Sequence, residues 1–298
     1  MSPAAVDIRS HLGEQARVVD ASLHRLVPSE STPPETIHRA MRYSLFAGGK
    51  RIRPILCMEA ARAVSPSVDG VEAAAASLEL IHTYSLIHDD LPALDNDDLR
   101  RGRPTCHKVF GEAMAILAGD SLLTLAFQVL AQLPVDPARR VRLVEELAVA
   151  SGTVRGMIAG QVHDLEGERQ EPSPELLERI HRAKTGALLR ASLRMGAIFA
   201  GAAAEELDAL SRYGEHVGLA FQIVDDLLDV EQSSEELGKT AGKDAAQHKI
   251  TFPAVYGLER SRAMAEEERR RAHDAAAPFG ERGQRLRELA DLVVHRKA

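Results

Sequence analysis

A chain of 298 residues and 32.4 kDa can bury a sizeable core, and its usage is led by Ala, Leu, Glu and Arg, with aromatics at 4% and no Trp, which points to an all-α protein. The net charge of −7 and pI near 6.0 provide no general basic field, so nucleic acid is excluded as an expected partner. Cys57 and Cys106 form no CxxC pair, which argues against a disulfide framework or a thiolate zinc site, and the absence of a signal-like stretch or a run of ~20 apolar residues predicts a soluble, cytoplasmic chain with no membrane span.

Helical periodicity predicts helices near 5–26, 35–47, 53–64, 69–90, 107–132, 138–166, 174–200, 204–231, 253–276 and 281–295. The breaks are short and carry Pro or Gly: Pro33-Pro34, Gly48-Gly49, Pro66, the stretch from Pro92 to Pro104, Pro134, Pro172, Gly201, and Gly238 to Pro253. No low-complexity linker, fixed repeat or sustained strand alternation interrupts them, so a single helical domain over 1–298 is expected. Two connections carry more charge than a turn needs, LPALDNDDLRRGRPTCHK after the fourth helix and EQSSEELGKTAGKDAAQHK after the eighth, and loops on a rigid scaffold are natural places for a site.

Each charged loop follows an apolar helix that ends in carboxylates. In SLIHDDLPALDNDD, Asp89 and Asp90 close the fourth helix and Pro92 biases the chain out of it, so that Asp95 can turn back toward the same ion. In LAFQIVDDLLDV, Gln222, Asp225, Asp226 and Asp229 follow i, i+3, i+4, i+7 and draw one polar ribbon down an apolar helix. Two like charges ~4 Å apart repel by ~4 kcal/mol even at an effective dielectric near 20, so a cation has to offset them. Carboxylates without Cys or a tight His cluster suit magnesium, bound through a few carboxylates, water and substrate phosphate, and two such acidic ends suggest a diphosphate clamped by both. A zinc reading of His82, His88 and Asp89 is disfavoured because the i, i+6 spacing puts the histidines on different faces.

Cations accompany both clusters. GGKRIRP places Lys50, Arg51 and Arg53 at a helix start, where the macrodipole disfavours positive charge unless an anion sits between them. Arg100 and Arg101 follow the first acidic cluster, Lys239, Lys243 and Lys249 follow the second, and Lys184 stands apart. His82 lies two turns before Asp89 on the same face. Acidic groups for magnesium together with basic groups for phosphate describe a site for two diphosphates.

In order along nearly the whole chain, GGKRIRP, IHTYSLIHDDLPALDNDDLRRGRPTCH, LAGD, GQVHDL, KTGAL, FQIVDDLLD and GKTAGKDAAQHKITFP make the sequence resemble the bacterial short-chain trans-prenyl diphosphate synthases that make farnesyl and geranylgeranyl diphosphate. The resemblance implies an isoprenoid synthase fold, ten or more helices around a deep central cavity, active as a homodimer with three magnesium ions. Asp89 and Asp95 would hold two ions and Asp225 the third, with Asp90, Asp226 and Asp229 as supporting ligands or outer support. Arg100, Lys184, Thr185, Gln222, Lys239 and Lys249 would grip the allylic diphosphate, and Lys50, Arg53, His82 and Arg101, with Arg51 beside the first two in GGKRIRP, would hold isopentenyl diphosphate. The allylic diphosphate would ionise, isopentenyl diphosphate would attack the carbocation, and the departing diphosphate would take the last proton.

The resemblance also places the limit on product length just before the first motif, at Tyr84 and Ser85. Tyr84 lies ~7.5 Å deeper along the helix than Asp89, where its ring would floor the tail pocket and favour a fifteen-carbon, farnesyl product over a twenty-carbon one. A class I terpene cyclase is the rival of different chemistry, but Asp225 is followed by Asp229 and Ser233 with no Glu to complete a cyclase motif, and a cyclase has no use for GGKRIRP with His82. A regulatory subunit of a heteromeric synthase is the rival without catalysis, and both acidic motifs are intact against it.

Overall fold

A computed structural model describes residues 7–167, 170–231 and 250–296. The described residues are almost entirely helical and fall into two compact units, Met1–Met58 with Asp69–Val144, and Glu59–Val68 with Glu145–Ala298.

The first unit holds α1 (Ile8–Leu26), α2 (Glu35–Leu45), the start of α3 (Ile52–Val64), α4 (Val71–Asp89), a hairpin of β1 (Leu99–Arg100) and β2 (Arg103–Pro104), α5 (Cys106–Phe110), α6 (Glu112–Ala131) and the start of α7 (Pro137–Ser151). α4 is apolar on nearly every side, as a central helix must be, and it buries Leu78, Leu80, Ile81 and Ile87, each a gain of about 1.5–3 kcal/mol. α6 crosses it so closely at Gly119 that an added Cβ would lie 2.1 Å from His88 Nε2, and that ring reaches the Ile116 carbonyl at 3.1 Å. The two-residue strands pair antiparallel, and the turn between them has positive φ at both Arg101 and Gly102, as a tight hairpin requires.

The second unit holds α8 (Met157–Gly167), α9 (Pro174–His181), one π-helical turn (Arg182–Gly186), α10 (Ala187–Ala200), α11 (Ala204–Glu231), α12 (Phe252–Tyr256), α13 (Leu258–Ala276), a 3-10 segment (Ala277–Gly283) and α14 (Gln284–His295). Ser173 caps α9 by accepting from the Leu176 amide, with Pro174 at the first helical position. Leu176, Leu177, Ile180, Ile223, Val224, Leu227 and Phe252 form the apolar cluster beneath the second acidic helix.

Three long predicted helices are in fact broken. Gly111 at φ +84° separates α5 from α6, Gly152 to Gly156 with Arg155 at φ +59° separate α7 from α8, and Gly257 at φ +79° separates α12 from α13. The hairpin is strand that the sequence pattern did not announce. α6 is long and apolar enough to cross a membrane, so the expectation that no run approaches that length is corrected; here Ala115, Ala118, Leu122, Ala126 and Leu130 on it are buried, and Asp120 sits at its middle.

Candidate active site

The first acidic segment turns as its proline suggests. α4 ends at Asp89; the Asp95 amide then donates to the Asp89 carbonyl at 2.8 Å and the Asp97 amide to that of Asp90 at 3.1 Å, with Asn96 at φ +50°. Asp89 and Asp95 are thereby joined through the backbone, and both side chains are half-buried. Asp90 instead turns inward and is buried, and its Oδ1 accepts from Arg100 Nε at 2.8 Å and Nη2 at 2.6 Å. Burial pushes the Asp90 carboxyl upward, more than Arg100 pulls it down.

The second motif divides in the same way. Asp225 is exposed, while Asp226 and Asp229 on the same helix are buried. Both oxygens of Asp226 are held: Oδ1 by Gln222 Nε2 at 2.9 Å and Oδ2 by the Phe252 amide at 2.9 Å, with His181 Nε2 3.6 Å from Oδ2. Burial keeps the His181 imidazole down at about 4, so it is neutral. Gln222 Oε1 in turn accepts from Thr185 Oγ1 at 2.9 Å, which ties the KTG segment to the acidic helix. Asp225 faces Arg296, whose Nη2 reaches its Oδ1 at 2.5 Å and the Phe221 carbonyl at 3.0 Å while the guanidinium lies 3.9 Å from the Phe221 ring centroid.

Lys184 and Thr185 sit on the π-helical turn, a distortion common at functional sites. It is packed against α8 so tightly that a Cβ on Gly160 would lie 2.1 Å from the Lys184 amide nitrogen. Lys184 Nζ pairs with Asp164 of the GQVHDL segment at 2.5 Å.

In the first unit the remaining cations converge. His82 is held well below the ordinary imidazole value, first by burial and then by Arg53, Arg101, Arg100 and Arg51, so a neutral ring stands within a cluster of guanidinium groups. Arg101 donates to the Gly48 carbonyl and lies against Gly49, where a Cβ would meet its guanidinium at 2.6 Å. Lys50 is exposed and Arg53 half-buried. Arg51 alone points into the protein, 4% exposed, with its donors on Asp20, Glu79, Leu45 and Gly48.

Tyr84 is buried, edge-on to His88 with ring centroids 5.7 Å apart, and its hydroxyl has no hydrogen-bond partner among the described residues. Burial, then the nearby Asp89, pushes its phenol up to about 12. Ser85 Oγ donates to the His82 carbonyl at 2.9 Å. Lys239, Lys243 and Lys249 lie outside the described residues. Sequence reasoning missed Glu79, Asp20, Asp164, His181 and Arg296; a lone carboxylate inside the apolar ASLELI run and an unassigned Asp in GQVHDL were the signals available for two of them.

A model of the family described as polyprenyl synthetase matches residues 34–288. The chain belongs to the polyprenyl synthetase family. This synthetase is 48% identical to the heterodimeric geranylgeranyl pyrophosphate synthase large subunit 1, chloroplastic, of Arabidopsis thaliana, over 99% of this chain and 81% of that one. It is equally identical, 48%, to the farnesyl diphosphate synthase of Geobacillus stearothermophilus, over 86% of each. Among solved structures it resembles the FPP/GFPP synthase of Zymomonas mobilis at 36% identity and a TM-score of 0.86, over 97% of this chain and 99% of that one, which makes the fold that of the isoprenoid synthases. The family is one of trans-prenyl diphosphate synthases, and the synthetase is a prenyltransferase of it.

The donor set bears on the metal. Among the described residues no three His, Cys, Asp or Glu side chains converge to cage an ion. Magnesium needs no such cage, since it takes one or two carboxylates and completes its octahedron with water and phosphate. The accessible carboxylates, half-buried Asp89 and Asp95 in the first unit and exposed Asp225 in the second, are donors of the kind that fits that ion.

Proposed function

We propose that this synthetase is a magnesium-dependent farnesyl diphosphate synthase, a single domain over 1–298 that condenses dimethylallyl or geranyl diphosphate with isopentenyl diphosphate. The observation that carries the reading is that each motif sorts its carboxylates by depth: Asp90, Asp226 and Asp229 are buried, the first two on protein donors, while Asp89 and Asp95 are half-buried and Asp225, paired with Arg296, is exposed. Outer support of this kind fixes ligand orientation at metal sites. Asp89 and Asp95 would hold two magnesium ions and Asp225 a third, with Asp229 as a supporting ligand or outer support. When bound, the ions would neutralise the leaving diphosphate so that the allylic carbon–oxygen bond can ionise.

Arg100, Lys184, Thr185, Gln222, Lys239 and Lys249 would grip the allylic diphosphate. The bond's electron pair leaves with the diphosphate oxygen, and an apolar pocket would keep water from the allylic cation. Lys50, Arg53, Arg101 and the neutral His82 would hold the second diphosphate, with His82 donating a hydrogen bond. Isopentenyl diphosphate then forms the new carbon–carbon bond through its double bond, and a proton passes to the departed diphosphate. No side-chain base is required.

Tyr84 supports the fifteen-carbon product, because a buried ring with an unsatisfied hydroxyl at the floor position ends a tail pocket better than it fills a core. Geranylgeranyl diphosphate is the second reading, favoured by several relatives of 48–50% identity named for that product. The homodimer is supported by apolar side chains left in the open, Ile116 and Leu117 on α6 and, in the other unit, Val154, Ile158 and Val162. Light scattering of the purified chain tests it.

Product analysis tests the whole: purified protein, magnesium, labelled isopentenyl diphosphate and either starter, then dephosphorylation and chromatography. Farnesol from both starters supports the reading. Geranylgeraniol keeps the mechanism and overturns the product, and no magnesium-dependent product returns the weight to a cyclase or a regulatory subunit.

A further inference from the structure

Arg51 has the wrong posture for a ligand. It sits between Lys50 and Arg53 in GGKRIRP, yet its side chain runs inward, 4% exposed, and its backbone is left-handed at φ +50°. A non-glycine residue there costs of order 1–3 kcal/mol and persists only where the surroundings over-determine it. The surroundings here are four oxygens. Nε donates to Asp20 Oδ1 of α1 at 2.9 Å, Nη1 to Glu79 Oε1 of α4 at 2.7 Å and to the Gly48 carbonyl at 3.2 Å, and Nη2 to the Leu45 carbonyl at 2.9 Å. Burial alone lowers the guanidinium pKa, but Glu79 and Asp20 outweigh it and the net direction is up, so the charge is permanent.

Glu79 is a carboxylate at 2% exposure between Leu78 and Leu80 on an apolar helix, and its charge acts on Arg51 directly and on Arg101 beside it. A buried ion pair is a poor source of stability, since apolar residues of similar volume often do as well or better; what it can supply is one defined geometry. The geometry it defines is that of the glycine loop. The Gly48 carbonyl accepts from Arg51 on one side and from Arg101 on the other, so the same oxygen joins the loop to the hairpin.

We propose that Arg51 is a positioning residue, drawn in by Glu79 and Asp20 so that the loop presents Lys50 and Arg53, with Arg101, in the spacing that one diphosphate requires. It does not touch substrate. The inference rests on the reading of GGKRIRP as the isopentenyl diphosphate cradle, and the test separates the two.

Steady-state kinetics of the full chain would give KM for isopentenyl diphosphate and for geranyl diphosphate, with kcat and Tm, for Arg51→Lys, Glu79→Gln, Asp20→Asn, the pair Arg51→Met with Glu79→Leu, and Lys50→Ala. Arg51→Lys and Glu79→Gln are expected to raise KM for isopentenyl diphosphate about tenfold, a 1.4 kcal/mol loss, and leave KM for geranyl diphosphate unchanged. Glu79→Gln strands a buried charge and can fail to fold. Asp20→Asn, on a carboxylate 41% exposed, keeps the fold and is expected to give a milder rise of about threefold. The double variant removes both charges and is expected to recover Tm without recovering KM. If it recovers both, or if no variant shifts KM selectively while Lys50→Ala does, Arg51 is structural only and the inference falls. If Lys50→Ala leaves KM for isopentenyl diphosphate unchanged, the cradle reading itself falls.

Discussion

Gly160→Ala tests whether the π-helical turn is held where Lys184 and Thr185 need it. The added methyl would lie 2.1 Å from the Lys184 nitrogen, 2.4 Å from its Cα and 2.7 Å from the Ala183 carbonyl carbon, where 3.4–4 Å is ordinary contact. All three are backbone atoms of the π-helical turn, so neither side can yield by rotating a side chain, and α8 and the turn must part by more than 1 Å. Overpacking of this kind costs typically 1–3 kcal/mol, and a backbone clash belongs at the upper end, about 3 kcal/mol. With an unfolding entropy of ~2.1 cal/mol/K per residue over 298 residues, that is a Tm fall of about 5 °C. A displacement of ~1 Å at positioned groups costs up to ~100-fold in rate, so kcat/KM for geranyl diphosphate should fall on that order. Gly13→Ala is the control, since the position lies within α1 and nothing stands within 4 Å of the new methyl. It should gain up to ~1 kcal/mol, raising Tm by about 1–2 °C with activity unchanged. Differential scanning calorimetry and steady-state kinetics read both variants. A Gly160→Ala protein melting within a degree of the parent, with kcat/KM intact, would refute the claim that this close approach positions Lys184.

Tyr84→Ala should lengthen the product, with geranylgeraniol replacing farnesol in the chromatogram under excess isopentenyl diphosphate; continued arrest at fifteen carbons would remove Tyr84 as the floor. Arg296→Gln frees an oxygen of Asp225 from its guanidinium, and because that pair is partly exposed the gain in manganese affinity, read by paramagnetic resonance of the free ion, should be only about two- to fivefold. Both cysteines should resist thiol reagents until the chain unfolds, because both are buried and burial alone pushes the Cys57 thiol up to about 12. Rapid labelling of native protein by a disulfide reagent would contradict that.

Much of the architecture was legible because apolar periodicity is a long-range signal: α2, α3, α4 and α11 begin and end within two residues of their predicted bounds. The breaks at Gly111 and Gly257 were not, because one residue at positive φ hardly shifts the phase of the pattern on either side. Both acidic motifs were legible as carboxylates where apolar residues should stand. The depth of each was not, since nothing in the spacing of Asp225 and Asp226 says that the second meets an amide from Phe252, 26 residues on. Arg51 was read with its neighbours Lys50 and Arg53 as a phosphate-binding cation; whether a side chain turns in or out is decided by Glu79 and Asp20, which a local reading of GGKRIRP does not contain.

The pairing of Lys184 with Asp164 has a consequence for selectivity. The lysine is already occupied at 2.5 Å by a single negative charge, so an arriving anion gains only by what it offers beyond that. A monoanion merely exchanges one partner for another and strands Asp164. A di- or trianion outbids the carboxylate, and the gap between the two grows with every further charge on the ligand. In the role proposed for Lys184, the resting ion pair therefore works as a threshold on ligand charge, which prenyl alcohols do not reach and diphosphates clear.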